Sequence, residues 1–168
     1  MTAKTHILGG FFLGGLLCLT GAVSTQTAPA LLTAASVGAL LPDIDHQGSK
    51  VSRSGAAGAI VSFAVSAFTT HRGVIHTPTF TAAFLAALSL ALRLAGISDW
   101  LALLAGLGIG MLSHLILDTF NPSGIMWLWP QSRKRFHVAS IPTGSICELG
   151  VTIALLALDA WIAASQMK

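Results

Sequence analysis

Ionisable side chains are scarce in this chain. Only 9% of its residues are charged, and Asp and Glu together number six, against 54% hydrophobic residues. So thin a supply of charge argues against a soluble globular protein, whose surface needs far more. Tyrosine is absent. The two cysteines, Cys18 and Cys147, lie inside apolar runs without CxxC spacing, and read as reduced core thiols rather than a disulfide or thiolate metal site. There is no internal repeat, low-complexity tract or glycine-rich phosphate loop. The net charge of +3 and pI near 9.3 do not point to nucleic acid. The basic residues are scattered, apart from Arg133-Lys134-Arg135, and scattered positive charge beside membrane segments usually records orientation.

What is present is apolar length. The mean hydropathy is +0.78. Five runs, at about 6–24, 28–42, 78–97, 99–119 and 146–164, approach the roughly 20 residues that a membrane-crossing helix needs. The expectation is an all-α, polytopic helical membrane protein, a single domain over residues 1–168, with about five transmembrane helices. Trp100, Trp127, Trp129 and Trp161 lie near run ends, where interfacial aromatics belong. The second run is short and bounded by Pro29 and Pro42. A sixth stretch, Gly55 to Thr70, is weakly polar at Ser62, Ser66, Thr69 and Thr70, and its length suits a re-entrant or interfacial helix. The first run has signal-peptide features, with Lys4 ahead and T-A-P-A behind. Cleavage there would discard His6, for which the topology below has a use.

The few ionisable residues are grouped, and most are metal-ligand types. Asp43, Asp45 and His46 stand in P-D-I-D-H, His71 and His76 in H-R-G-V-I-H, and His114 and Asp118 in S-H-L-I-L-D. His6 and Glu148 each open an apolar run. An ionisable group kept in so apolar a chain is a functional candidate by default, and imidazole with carboxylate builds hydrolytic metal sites. Parity connects the groups. The first two runs form an out-and-back pair, returning Asp43, Asp45 and His46 to the side of His6. If 55–70 does not cross, His71 and His76 remain there, the next two runs bring His114 and Asp118 back, and Glu148 opens the last helix at the same level. That side also holds Lys4, Lys50, Arg53, Arg72 and Arg133 to Arg135, whereas the other has Arg93 and Lys168. The positive-inside rule makes the site cytoplasmic.

Each motif has a chemical and a structural reading. His114 and Asp118, four apart, share one helix face. They can reach one metal, or the aspartate can orient the histidine. Pro42 fixes the exit of the chain, and two carboxylates two apart followed by an imidazole can chelate; the alternative is a polar turn. Arg72, between His71 and His76, suits an anionic substrate group by its planar fork, or simply snorkels at the interface. Glu148 is either a ligand or the reciprocal residue of a capping box begun by Ser145. Asp99 reads as a cap and Asp159 has no cluster. Arg133-Lys134-Arg135 attracts anionic lipid.

The ordered set K-T-H-I-L-G-G at 4–10, L-P-D-I-D-H at 41–46, H-R-G-x-x-H-T at 71–77, S-H-L-I-L-D at 113–118, N-P-S-G-I…L-W-P at 121–130 and T-G-S-x-x-E at 143–148 resembles the YdjM/YbcI-type bacterial inner-membrane proteins over nearly the whole length. The family pattern after the arginine usually ends T-H-S, where this chain has Ile75-His76-Thr77. The resemblance implies a metal-dependent hydrolase of the inner membrane. The H-x3-D element is also similar to one in zinc-dependent phospholipases C and related nucleases, which implies a phosphoester substrate.

The expected function is therefore hydrolysis at the cytoplasmic interface of a lipid or lipid-linked phosphoester. It would use one or two divalent ions such as Zn2+. The ligand pool is His6, Asp43, Asp45, His46, His71, His76, His114, Asp118 and Glu148. Asp45, Arg72 and Glu148 are the expected catalytic groups, with Arg133 or Arg135 as further anion contacts. A divalent-metal transporter built on the same ligands, or a non-catalytic metal-binding membrane protein, are the alternatives.

Overall fold

The structure, a computed structural model, describes residues 1–45, 73–97 and 100–166. Among the described residues there are five α-helices: α1 (Ala3–Leu19), α2 (Ala28–Gly38), α3 (Pro78–Leu94), α4 (Trp100–Thr119) and α5 (Ile146–Gln166). Each falls on one of the five apolar runs. The 55–70 stretch and Asp99 lie outside the described residues. Helices α4 and α5 are long and apolar enough to cross a membrane by length and composition. Helices α1 and α3, at 17 residues each, reach about 25 Å, and α2, at 11, about 16 Å.

Helix α2 is shorter than its apolar run, and Pro42 is the reason. Proline has no N–H to give the carbonyl four residues back, and its ring crowds that carbonyl. The α-helix accordingly ends at Gly38, and the chain tightens into a 3-10 turn over Leu41–Asp45. A second 3-10 turn, Val74–His76, packs against the first. The chain thus leaves the described region and re-enters it at one end of the bundle.

Helix α2 is wedged between α1 and α4. Small residues let these backbones approach closely, a packing mode typical of membrane helices. A Cβ on Gly110 would drive into the carbonyl oxygen of Ala35, and one on Gly38 into the backbone of Leu107. Helices α1 and α5 run parallel. Thr5 meets Glu148 and Thr152 at one end, and Gly15 meets Ile162 at the other. Large side chains such as Leu90, Leu94, Leu101, Ile153 and Trp161 face outward.

Local caps fix the helix ends. Pro78 opens α3, and the Thr77 hydroxyl oxygen accepts the Phe80 N–H at 3.1 Å. The Ser145 hydroxyl accepts the Glu148 N–H at 3.3 Å, and the Glu148 carboxylate reaches back to the Gly144 N–H. This is the expected capping box, shifted by one residue on its return arm. The loop from α4 to α5 is tied to the end of α4. Val138 N–H and Ile141 N–H donate to the Thr119 and Phe120 carbonyls, and the Trp127 indole donates to the Thr119 hydroxyl.

Candidate metal centre

The centre is built outward from a broken helix. In an unbroken α2 the Ala39 carbonyl would accept the Asp43 N–H; in the 3-10 turn that N–H goes to Leu40 instead, at 3.2 Å. The Ala39 carbonyl is taken up from across the bundle, 2.8 Å from Nδ1 of His114 on α4. A carbonyl can only accept, so Nδ1 carries the proton. In the neutral form of the ring that leaves Nε2 with its lone pair. Fixing one ring nitrogen on a backbone carbonyl is how metal-binding histidines are commonly oriented.

Two groups of donors meet at that nitrogen. Nε2 of His114 lies 3.5 Å from Oδ2 of Asp118 and 3.7 Å from Oδ1 of Asp43. His6, on the first turn of α1, stacks on the His114 ring at 3.8 Å between centroids and 14° between planes. Its Nε2 lies 3.5 Å from Oδ1 of Asp118. His76, ending the second 3-10 turn, meets His114 at 5.2 Å and 64°, with Nε2 3.5 Å from Oδ1 of Asp43. Two trios result: His6, His114 and Asp118, and Asp43, His76 and His114. In each, the donor atoms all lie within 4.8 Å of one another.

Burial makes this arrangement demanding. His6, His76, His114 and Asp118 are all 0% exposed. Among the described residues, neither ring nitrogen of His6 has a hydrogen-bond partner, and neither does Nε2 of His114. Buried polar atoms are normally satisfied, and a ring lone pair facing a carboxylate oxygen is repelled unless a proton or a metal cation lies between them. The Met1 ammonium group donates to Oδ1 of Asp118 at 2.9 Å. Around Asp43, which lies beyond the end of α2, burial opposes the charged form. Its pairing with His76 and the neighbouring imidazoles outweigh that and hold the carboxyl well below the usual carboxylate range. Unprotonated imidazole and ionised carboxylate are the forms that bind a divalent ion, and these trios could hold one.

Of the expected ligands, the structure brings together His6, Asp43, His76, His114 and Asp118. His46, His71 and Arg72, and the side chain of Asp45, lie outside the described residues. Glu148 belongs to neither trio. Its carboxylate accepts the Thr2 N–H, the Gly144 N–H and the Thr5 hydroxyl, so it braces the starts of α1 and α5 against each other. Arg133 and Lys134 are exposed on the α4–α5 loop. The residue that sequence reading missed is Ala39, which acts through its backbone. Its signal was Pro42, three residues on.

The YdjM inner membrane protein family model matches residues 1–167. A Bacillus subtilis (strain 168) protein named "Uncharacterized protein YvsG" is 36% identical over 159 residues, covering 92% of this chain and 91% of its own. "Inner membrane protein YdjM" of Escherichia coli (strain K12) is 28% identical over 174 residues, covering 96% of this chain and 83% of its own. No solved structure matches the chain.

Proposed function

The chain belongs to the YdjM inner membrane protein family, and we propose that it is a multi-pass protein of the cytoplasmic membrane that hydrolyses a lipid or lipid-linked phosphoester at the cytoplasmic interface with a divalent ion. The observation that carries this reading is the orientation of His114: Nδ1 on the Ala39 carbonyl and Nε2 turned toward two carboxylates. His6, Asp43, His76, His114 and Asp118 would hold the ion, Zn2+ being the best match to nitrogen and carboxylate donors. When bound, such an ion supplies Lewis acidity, activating water and polarising a phosphoester. Asp43 is the member of the set that reaches the surface, its side chain 22% exposed, so substrate would approach from its side. Asp45 follows it closely in sequence and fits the role of general base. Arg72 lies four residues before His76 and would grip the phosphoryl oxygens with its planar fork.

Charge supports the cytoplasmic assignment. Lys4 and the Arg133–Arg135 loop lie at the metal-centre end of the bundle, and Arg93 at the opposite end of α3. One observation favours ion transport as a second reading: the donors sit at a break in the α2 run, and transport sites use discontinuous helices. Two assays separate the readings. Metal-loaded protein in liposomes is tested against a panel of phosphoester lipids and, separately, for uptake of divalent ions. The hydrolase reading expects turnover without uptake. It also expects Arg72→Lys to retain metal while turnover falls about 10- to 100-fold, the kinetic equivalent of one charged hydrogen bond. Ion uptake with no cleavage of any lipid would replace the enzyme with a transporter.

A further inference from the structure

His114 belongs to both trios, yet it has one nitrogen to give. Nδ1 is committed to the Ala39 carbonyl at 2.8 Å, and Nε2 is the atom that faces both Asp43 and Asp118. A neutral imidazole nitrogen offers a single lone pair, and so serves one ion at a time. The trios also differ in surroundings. His6, His114 and Asp118 are all buried, whereas the other trio includes the partly exposed Asp43. In the buried trio the two rings are stacked at 3.8 Å. In the other the rings stand 5.2 Å apart and steeply inclined, a wider gap.

We propose that the centre holds a single divalent ion pivoting on Nε2 of His114. It has an inner position completed by His6 and Asp118 and an outer position completed by His76 and Asp43. Only the outer position admits an external anionic ligand of the phosphate type. This rests on the metal-binding reading above and deepens it by naming the face that substrate uses. Three protein donors leave a four-coordinate ion one position to offer. At the inner position that place is enclosed by buried side chains. At the outer position it opens beside the exposed edge of Asp43. His6 and Asp118 then act as a reserve that keeps the ion when the outer ligands are disturbed.

The test counts ions and follows their spectrum, so it does not depend on turnover. Purified full-length protein is stripped with a chelator, loaded with saturating Co2+ and assayed for cobalt per chain. The visible cobalt bands are then recorded as inorganic phosphate is added. The expected result is one Co2+ per chain and a phosphate-induced band shift. His76→Ala is expected to keep its Co2+ and lose the shift, and His6→Ala to bind Co2+ more weakly but keep the shift at saturating Co2+; gel filtration confirms that each variant is folded. Two Co2+ per wild-type chain overturns the proposal. So does a shift that survives in His76→Ala and vanishes in His6→Ala, which would put the ligand at the inner position. Protein that binds no Co2+ at all removes the metal-binding reading itself, a failure distinct from the wrong count or the wrong face.

Discussion

Glu148 and His114 are both fully buried ionisable residues, and their partners separate their roles. Glu148 is surrounded by donors, the Thr2 and Gly144 N–H groups and the Thr5 hydroxyl. Removing it takes a shared acceptor from two part-buried N–H groups and the buried Thr5 hydroxyl, at a cost of up to roughly 1–3 kcal/mol for each group left without a partner. Glu148→Ala should therefore lower the thermal midpoint clearly while leaving bound metal per folded chain unchanged. Metal loss from a folded, thermally normal variant would instead make Glu148 a ligand. His114 has no such web on Nε2. The side-chain members of the centre were legible in the sequence, because ionisable groups in so apolar a chain stand out and His114 and Asp118 carry helical spacing. The Ala39 carbonyl was not. Every residue carries one, and only the break at Pro42 makes this one available.

At the scale of elements, α2 sets the geometry of the centre. Its C-terminal end must lie close enough to α4 for the Ala39 carbonyl to reach His114, and Gly38 and Gly110 are where the two backbones meet. The apolar runs were sufficient to locate all five helices. They could not show where α2 stops, since proline acts on the turn before it. Nor could they show which glycines face which backbone, since composition carries no contact information. A methyl group at Gly110 has to move the Ala35 backbone, whereas one at Gly150, also helical, meets nothing within 4 Å. Gly110→Ala should destabilise the protein by about 1–3 kcal/mol, the usual range for overpacking. It should also weaken divalent-ion binding by displacing Ala39. Gly150→Ala should leave both unchanged. Equal metal affinity in the two variants, measured by competition with a chelating dye, would show that the α2–α4 contact does not control the centre.

For the whole molecule the decisive quantity is which ends of the helices share a side of the membrane. The starts of α1, α3 and α5 and the ends of α2 and α4 converge on the metal centre or the Glu148 web beside it, and the two 3-10 turns that flank the undescribed stretch touch each other. The described chain therefore stops at Asp45 and resumes at Gly73 at the same end of the bundle. Trp127 and Trp129 lie at that end, and Trp100 and Trp161 toward the other, as two interfacial belts would. The basic residues Lys4, Arg133, Lys134 and Arg135 share the metal-centre end, which is the charge bias behind the cytoplasmic orientation proposed above. Four exposed positions test this directly: Val74 and Val138 at the metal-centre end, Gln26 and Ala95 at the other. In a chain with Cys18 and Cys147 replaced by serine, Val74→Cys and Val138→Cys should resist a membrane-impermeant maleimide in intact spheroplasts and react after lysis. Gln26→Cys and Ala95→Cys should react before it. The reverse pattern would put the centre on the periplasmic face, and lipid intermediates of the cytoplasmic leaflet would then be out of its reach. Reaction of Val74→Cys and Val138→Cys from opposite sides would contradict the bundle itself, because His76, two residues after Val74, meets His114 of α4, and the Val138 N–H binds the last carbonyl of that same helix.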